Sequence, residues 1–248
     1  GLKIKLSTKI TSLPYIHMTK KIIERIGGIV DIKPDEIIIK QLVSNKIPDQ
    51  IVESDWSSAS YFYSLVALSD SSDITLSSFF NNSIQGDSRI VDIYKQFGVE
   101  TKFLNDKIYL KKKNIDLPDS ISINLRDNPD LAQTIVVTCL GLGVNCKLEG
   151  LHTLKLKETD RLLALKREIE KFEVDCVTIS NQSITLKNNS KLKSGVSINT
   201  YDDHRMAMSF APLSMINPII IINPEVVSKS YLNFWNDLES LGFKISQK

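Results

Sequence analysis

Residues 130–141 read DLAQTIVVTCLG, and two other stretches share their character: SSASYFYSLVAL at 57–68 and DHRMAMSFAPLSM at 203–215. Each has the length of a helix and none keeps a polar stripe at 3.6-residue spacing, so each must be buried on nearly every side. Ala59, Ala132 and Ala207 fall at matching points, 73 and 75 residues apart. A unit of that period has room for two helices and several strands. Three such helices predict an interior made of helix with strands outside it.

A second pattern recurs four times between them: an amphipathic helix, a junction residue, a strand, a polar turn and a second strand. The copies are IIERIGGIVDIKPDEIIIK (22–40), VDIYKQFGVETKFLNDKIYLK (91–111), REIEKFEVDCVTISNQSITLK (167–187) and a shortened NDLESLGFKIS (236–246). Their junctions Gly27, Gly98, Glu173 and Gly242 lie 71, 75 and 69 residues apart. The expected fold class is therefore mixed α/β, built from repeated units. Residues 1–52 hold only the trailing half of one unit, and 53–248 hold two full units and most of a third. The turn signal Pro48-Asp49 puts the boundary at Ile51 to Glu53. Residues 1–52 carry nine Lys/Arg against five Asp/Glu, which reads as a solvated face rather than a binding patch.

The 248 residues are 42% hydrophobic and 24% charged, ordinary for a globular chain and unlike disorder or a coiled coil. A net charge of +2 supplies no bulk cationic field for nucleic acid. The longest apolar stretches, Thr134 to Val144 and Pro218 to Ile222, are far short of the ~20 residues that cross a bilayer, and the opening residues do not read as a charged-then-apolar leader. A soluble, cytoplasmic protein is expected. Cys139, Cys146 and Cys176 lack CxxC spacing, which fits a reducing compartment and argues against a disulfide framework or a zinc site. The start at Gly1-Leu2 reads as a processed or cut piece.

Each buried stretch opens near an aspartate, Asp55, Asp130 or Asp203, the residue type that caps free N–H groups. Three equivalent units would aim three helix N-termini the same way, a ready site for anions, although plain capping explains any one of them equally well. In LKLKETDRLLALKREIEKF (154–172), the 3-4-3 spacing of Leu162, Leu165, Ile169 and Phe172 places Arg161 in the first turn of a helix, where a cation opposes the dipole. Arg205 repeats this anomaly after Asp203-His204. A strongly anionic ligand between the two arginines would account for both. On spacing alone, mutual neutralisation of Lys157, Glu158, Asp160 and Arg161 on a solvated surface is the simpler account. His204 could donate a proton near neutrality, Lys229 could reach a phosphate, and Asp130 could be a general base; each also has a plain structural reading. No Walker loop, GxGxxG, HExxH or GxSxG occurs.

The segments SSASYF (57–62), NSIQGD (82–87), LKETDR (156–161) and YDDHRMAM (201–208), in this order, resemble the 3-phosphoshikimate 1-carboxyvinyltransferase family. The resemblance runs along the whole chain but matches about the C-terminal three-fifths of a family member. It implies an inside-out α/β barrel with buried parallel helices and outer sheets, 1–52 belonging to the end of one domain and 53–248 to most of the other. It implies enolpyruvyl transfer from phosphoenolpyruvate to the 5-hydroxyl of shikimate 3-phosphate, in a monomer that needs no metal or organic cofactor.

Carried over by position, Ser12, Tyr15, Thr153 and Lys157 match contacts to shikimate 3-phosphate, with Thr153 standing where the family commonly has asparagine. Asp130 matches the carboxylate that binds the ring hydroxyls and takes the 5-hydroxyl proton. Glu158 matches the residue that exchanges a proton with C3 of phosphoenolpyruvate. Arg161, Arg205 and Lys229 match the cations that hold its carboxylate and phosphate, and His204 supports the same site. The family's phosphate-binding serine pair, an early lysine and further arginines lie upstream of this sequence, so the fragment alone is expected to be inactive. Two rivals share the fold: an enzyme that transfers enolpyruvyl to UDP-N-acetylglucosamine, and a non-catalytic anion-binding module.

Overall fold

The computed structural model describes residues 1–8, 10–42, 49–187 and 192–246. The chain opens with β1 (Leu2–Lys5), α1 (Leu13–Arg25), β2 (Val30–Ile32) and β3 (Glu36–Ile39), which form a sheet in the order β1-β3-β2. An irregular stretch containing the exposed Ile51 and Val52 leads into α2 (Trp56–Leu68). Pro48 lies outside the described residues. Next come β4 (Asp73–Ser77), α3 (Ile90–Lys95), β5 (Val99–Leu104) and β6 (Lys107–Lys112), with sheet order β4-β6-β5. The following unit comprises β7 (Ser120–Asn124), α4 (Ala132–Leu142), β8 (Asn145–Glu149), α5 (Arg161–Ile169), β9 (Val177–Ile179) and β10 (Ser183–Leu186), in a sheet ordered β7-β8-β10-β9. The last has β11 (Val196–Ile198), α6 (His204–Phe210), β12 (Ile219–Ile221) and α7 (Phe234–Ser240).

The helix and strand pattern of the first three repeat copies is present: α1 with β2 and β3, α3 with β5 and β6, α5 with β9 and β10, each strand pair antiparallel. No strand follows α7 among the described residues. The junction Gly98 has φ +78, and a Cβ there would press on the Lys113 carbonyl, so the turn demands glycine twice over. In the third copy the left-handed position is Asp175, φ 56, two residues past Glu173.

The helices expected to be buried all round are so. Nearly every residue of α2, and all of α4 from Ala132 to Leu140, is buried, and α6 continues the same core. Their mutual direction follows from hydroxyl pairs. Ser60 meets Thr134 at 3.0 Å and Ser64 meets Thr138 at 2.8 Å, so α2 and α4 advance together. Asp130 meets Arg205 and Thr134 lies 3.4 Å from Ser209, which sets α6 parallel to α4. These hydroxyls satisfy one another and so let helices without a polar face pack closely. Parallel strands need a crossover, and α4 between β7 and β8 and α6 between β11 and β12 are those crossovers. The sheets β4-β6-β5 and β7-β8-β10-β9 lie outside and turn alternate apolar residues inward: Ile108 and Leu110 of β6, Ile121 and Ile123 of β7, Ile184 and Leu186 of β10.

Capping departs from expectation at one of three places. Asp55 accepts from the backbone N–H of Ser57 and Ser58, and Asp203 from that of Arg205. Asp130 caps nothing: Pro129 starts a 3-10 turn over Pro129–Leu131, so Asp130 sits inside the turn and its carboxylate faces sideways to other side chains. Cys139, Cys146 and Cys176 are free and buried. No described helix is long and apolar enough to cross a membrane.

Candidate active site

The stripe of Leu162, Leu165 and Ile169 seats α5 on the core, and Asp160 caps it by accepting from the N–H of Leu163. That seating buries Arg161, the first residue of α5, to 1% exposure. Its Nε donates to Asp203 Oδ2 at 2.6 Å, its Nη1 to Asp130 Oδ1 at 2.9 Å, and its Nη2 to Glu158 Oε2 at 2.6 Å and Asp203 Oδ1 at 3.4 Å. Three carboxylates thus answer the cation that opposes the dipole. The solvated-surface account fails for Arg161 because the apolar stripe beneath it leaves its guanidinium no path to water.

Arg205, at the head of α6, is held more loosely. Its Nη2 reaches Asp130 Oδ2 at 3.3 Å and its Nη1 the Tyr61 hydroxyl at 3.5 Å, both at the long end of hydrogen bonding. Lys157 Nζ lies 3.3 Å from Asp130 Oδ1. Asp130 is therefore the hub, with one oxygen toward Arg161 and Lys157 and the other toward Arg205. Burial pushes its carboxyl up, but Arg205, Lys157 and Arg161 outweigh that and hold it below the usual carboxylate range. Glu158 is likewise held low: burial raises it, while a backbone hydrogen bond, Arg161 and His204 lower it by more. Both groups rest ionised at neutral pH.

His204 is largely buried, with Nδ1 lacking a hydrogen-bond partner among the described residues and 3.6 Å from Glu158 Oε1. Burial first, then Arg205, keeps its imidazole below the ordinary histidine value. Glu158, Asp203 and His204 each bring one potential metal-ligand atom within 4.8 Å of the others. Glu158 and Asp203 already accept from Arg161, so a metal ion there would have to displace a guanidinium.

The remaining sequence candidates take other positions. Lys229 is exposed and donates to the Asp202 carbonyl at 2.6 Å, one residue before Asp203. Thr153 begins the turn Leu154–Leu156 and its buried Oγ1 has no partner among the described residues. Ser12 is the left-handed residue (φ 52) before α1. Tyr15, on the first turn of α1, turns a buried hydroxyl toward Asp87; burial, then the charges of Asp87 and Asp130, raise its pKa. Neither the Tyr15 hydroxyl nor Asp87 Oδ1 has a hydrogen bond of normal geometry among the described residues. Pro14 packs against Gly86, bringing residues 1–42 to the rim of the cluster.

Sequence reading passed over Asp87, Tyr61 and the role of Asp203 as the main partner of Arg161. Asp87 lies within NSIQGD, and that motif folds onto SSASYF: Ser57 donates to Asp87 Oδ2, and Gln85 Oε1 accepts from the Trp56 N–H. A motif that returns to cap the head of a buried helix was the available signal.

The family model for EPSP synthase (3-phosphoshikimate 1-carboxyvinyltransferase) matches residues 1–238. The chain is 41% identical over 248 residues to the 3-phosphoshikimate 1-carboxyvinyltransferase of Bacteroides fragilis, covering 99% of this chain and 60% of that protein. It is 34% identical over 249 residues to the Methanocaldococcus jannaschii protein of the same name, covering 99% and 57%. The chain thus spans about three-fifths of the length of these relatives. Among solved structures, EPSP synthase from Acinetobacter baumannii superposes with a TM-score of 0.66 at 21% identity, over 92% of this chain and 55% of that one. The enolpyruvyl transferase NikO from Streptomyces tendae does so with a TM-score of 0.69 at 11% identity, over 99% and 56%. At these identities the two structures bear on the fold, which is that of the enolpyruvyl transferases, and the match over residues 1–238 bears on descent: the chain belongs to the EPSP synthase (3-phosphoshikimate 1-carboxyvinyltransferase) family.

Proposed function

We propose that the whole protein transfers the enolpyruvyl group of phosphoenolpyruvate to the 5-hydroxyl of shikimate 3-phosphate and releases phosphate, a step of chorismate biosynthesis, and that this chain carries one wall of the cleft. The single observation behind this reading is the meeting of Asp130, Glu158, Arg161, Arg205 and Lys157, from three chain segments, around one carboxylate hub. We assign residues 1–52 to the end of one domain and 53–248 to most of the other. The irregular stretch at Ile51 and Val52 supports that division.

In the reaction the acceptor oxygen bonds to C2 of phosphoenolpyruvate while C3 gains a proton. C3 then returns its proton and the C2–O bond to phosphate breaks, the phosphate keeping the electron pair. Asp130, ionised and in reach of two arginines, takes the hydroxyl proton; Glu158 exchanges the proton at C3. Arg205 has donors to spare for an anion, whereas Arg161 becomes available only as Asp130 and Glu158 turn to substrate. Lys229 and His204 complete the phosphoenolpyruvate side, and Ser12, Tyr15, Thr153 and Lys157 the acceptor side. Bidentate guanidinium pairing suits both carboxylate and phosphate. The protein acts on these small molecules as a cytoplasmic monomer without cofactor; its three free buried cysteines support a reducing compartment.

A coupled phosphate-release assay tests the reading. The whole protein should turn over with shikimate 3-phosphate and not with UDP-N-acetylglucosamine, and Glu158→Gln should lower its kcat by about 10²–10⁴-fold, the range for a lost acid–base group. The 248-residue chain alone should release no phosphate, since positioning and water exclusion need both walls. A preference for the nucleotide-sugar acceptor would overturn the reaction assignment, and turnover by the chain alone would overturn the division of the site between two walls.

A further inference from the structure

Glu168 lies on α5 two turns beyond Arg161, is fully buried, and plays no part in the chemistry proposed above. Its Oε1 accepts from the Tyr201 hydroxyl at 2.6 Å. Its Oε2 accepts from the backbone N–H of Asn199 at 2.9 Å and pairs with Lys171, whose Nζ also donates to the Ser197 carbonyl at 2.8 Å. Every one of these contacts but Lys171 itself goes to the segment that enters α6.

That segment is unusual. Tyr201 and Asp202 both have left-handed backbones, φ 54 and 56, and neither is glycine. Such residues persist where surrounding contacts over-determine them. Here the Asp203 N–H donates to the Thr200 carbonyl at 2.9 Å and the Thr200 hydroxyl to the Ile222 carbonyl at 3.0 Å. The turn delivers Asp203, His204 and Arg205 in succession. One helix, α5, therefore grips this segment twice: Arg161 at its start holds Asp203, and Glu168 holds Asn199 and Tyr201.

We infer that Glu168 is a positioning residue, its buried carboxylate fixing the Tyr201-Asp202 turn so that Asp203, His204 and Arg205 stand in register with Arg161. A carboxylate buried for packing alone would be a poor choice, since apolar residues of similar volume fill such space at no charge-burial cost. The two acceptor oxygens instead read one hydroxyl and one backbone N–H of the turn. Relaxing this grip would let water reach the head of α6 and widen the distances among the four charged groups that face the His204 imidazole, namely Asp203, Glu158, Arg205 and Arg161.

The inference deepens the proposed site and rests on that reading only for its meaning in catalysis, so its test uses no substrate. In the 248-residue chain, with its three histidines, the imidazole titrations are followed by NMR in Tyr201→Phe and Glu168→Gln. Burial and Arg205 hold His204 below its ordinary value, so loosening the turn should raise its midpoint toward that value. A merely structural Glu168 would lower Tm and leave the His204 midpoint of the folded protein where it was; that result overturns the inference. Tyr201→Phe removes a single hydroxyl and decides the question if Glu168→Gln does not fold. A whole protein without enolpyruvyl transfer would break the reaction assignment instead, and the His204 titration would still decide the positioning role.

Discussion

Residues 1–42 and residues 53–246 are written in the same local code and end in opposite environments. Both contain the helix, junction, strand, turn and strand of the repeat, and both fold that way. Yet α1 has no buried residue, while its counterparts α3 and α5 bury Ile90, Ile93, Tyr94, Leu162, Leu165 and Ile169. The sheet β1-β3-β2 leaves Leu2 and Ile4 exposed, whereas the sheets of the larger region close over α2, α4 and α6. A periodic pattern dictates which face of an element is apolar; what covers that face is decided by other parts of the molecule. The difference is one of neighbours, not of local sequence.

The largest test of that contrast is core truncation. Ile135→Ala in α4, where the side chain is wholly buried, should lower the unfolding free energy in urea by about 2–5 kcal/mol, the sum of lost transfer energy and the cavity left behind. Ile22→Ala in α1, where the side chain is 45% exposed, should change it by no more than about 0.5 kcal/mol in this chain. In the whole protein, if residues 1–52 complete a domain as proposed, the Ile22 effect should rise toward the Ile135 value. Equal small effects in both forms would show that α1 stays uncovered.

Most of the fold could be read because burial on all sides leaves a one-dimensional trace: a helix without a polar stripe, as in 57–68 and 130–141, admits few placements. The caps were two-thirds legible for the same local reason. Asp55 and Asp203 precede helices and cap them, while Asp130 follows Pro129, whose fixed φ starts the turn early and leaves the carboxylate to other side chains. The site was legible as a set of charges but not as a network. Asp203 meets Arg161 across 42 residues and Asp130 meets Arg205 across 75, distances over which no periodicity speaks. Arg161 in a first turn signalled a missing anion; in the chain as it stands, three carboxylates supply it. Lys229 illustrates the limit further, since its partner is a backbone carbonyl, a group present at every residue and so invisible in sequence.

A smaller effect sharpens the contrast at the helix starts. Asp55 accepts from two backbone N–H groups and from the Ser58 hydroxyl, so Asp55→Ala should cost about 1 kcal/mol by urea unfolding. Ser12 holds the corresponding position before α1 and makes no side-chain cap bond, so Ser12→Ala should leave stability unchanged. A loss at Ser12 equal to that at Asp55 would mean that α1 draws on its cap as much as the core helices do, against the contrast drawn from burial.

The smallest effect separates two carboxylates held low for different reasons. Glu36 is lowered by hydrogen bonds from Lys3 and Lys33, two lysines that are themselves exposed, against a burial effect. Asp130 is lowered by Arg205, Lys157 and Arg161 against a strong burial effect. A carboxyl whose folded pKa lies below its unfolded value binds fewer protons in the native state, so it adds stability above the unfolded pKa and loses it as pH falls through the folded one. Both groups should therefore contribute to a decline in stability on acidification below about pH 4. They part company in salt. At about 1 M ionic strength the Debye length shrinks to about 3 Å, which screens the exposed lysine pairs of Glu36 and leaves the enclosed arginines of Asp130 largely unscreened. Urea unfolding between pH 5 and pH 2 should then show that Glu36→Gln flattens the decline only at low salt, while Asp130→Asn flattens it at low and high salt alike. If high salt erased the Asp130 contribution as well, the cluster would be open to solvent in solution, and the enclosure that sets residues 53–246 apart from 1–42 would not extend to its charged centre.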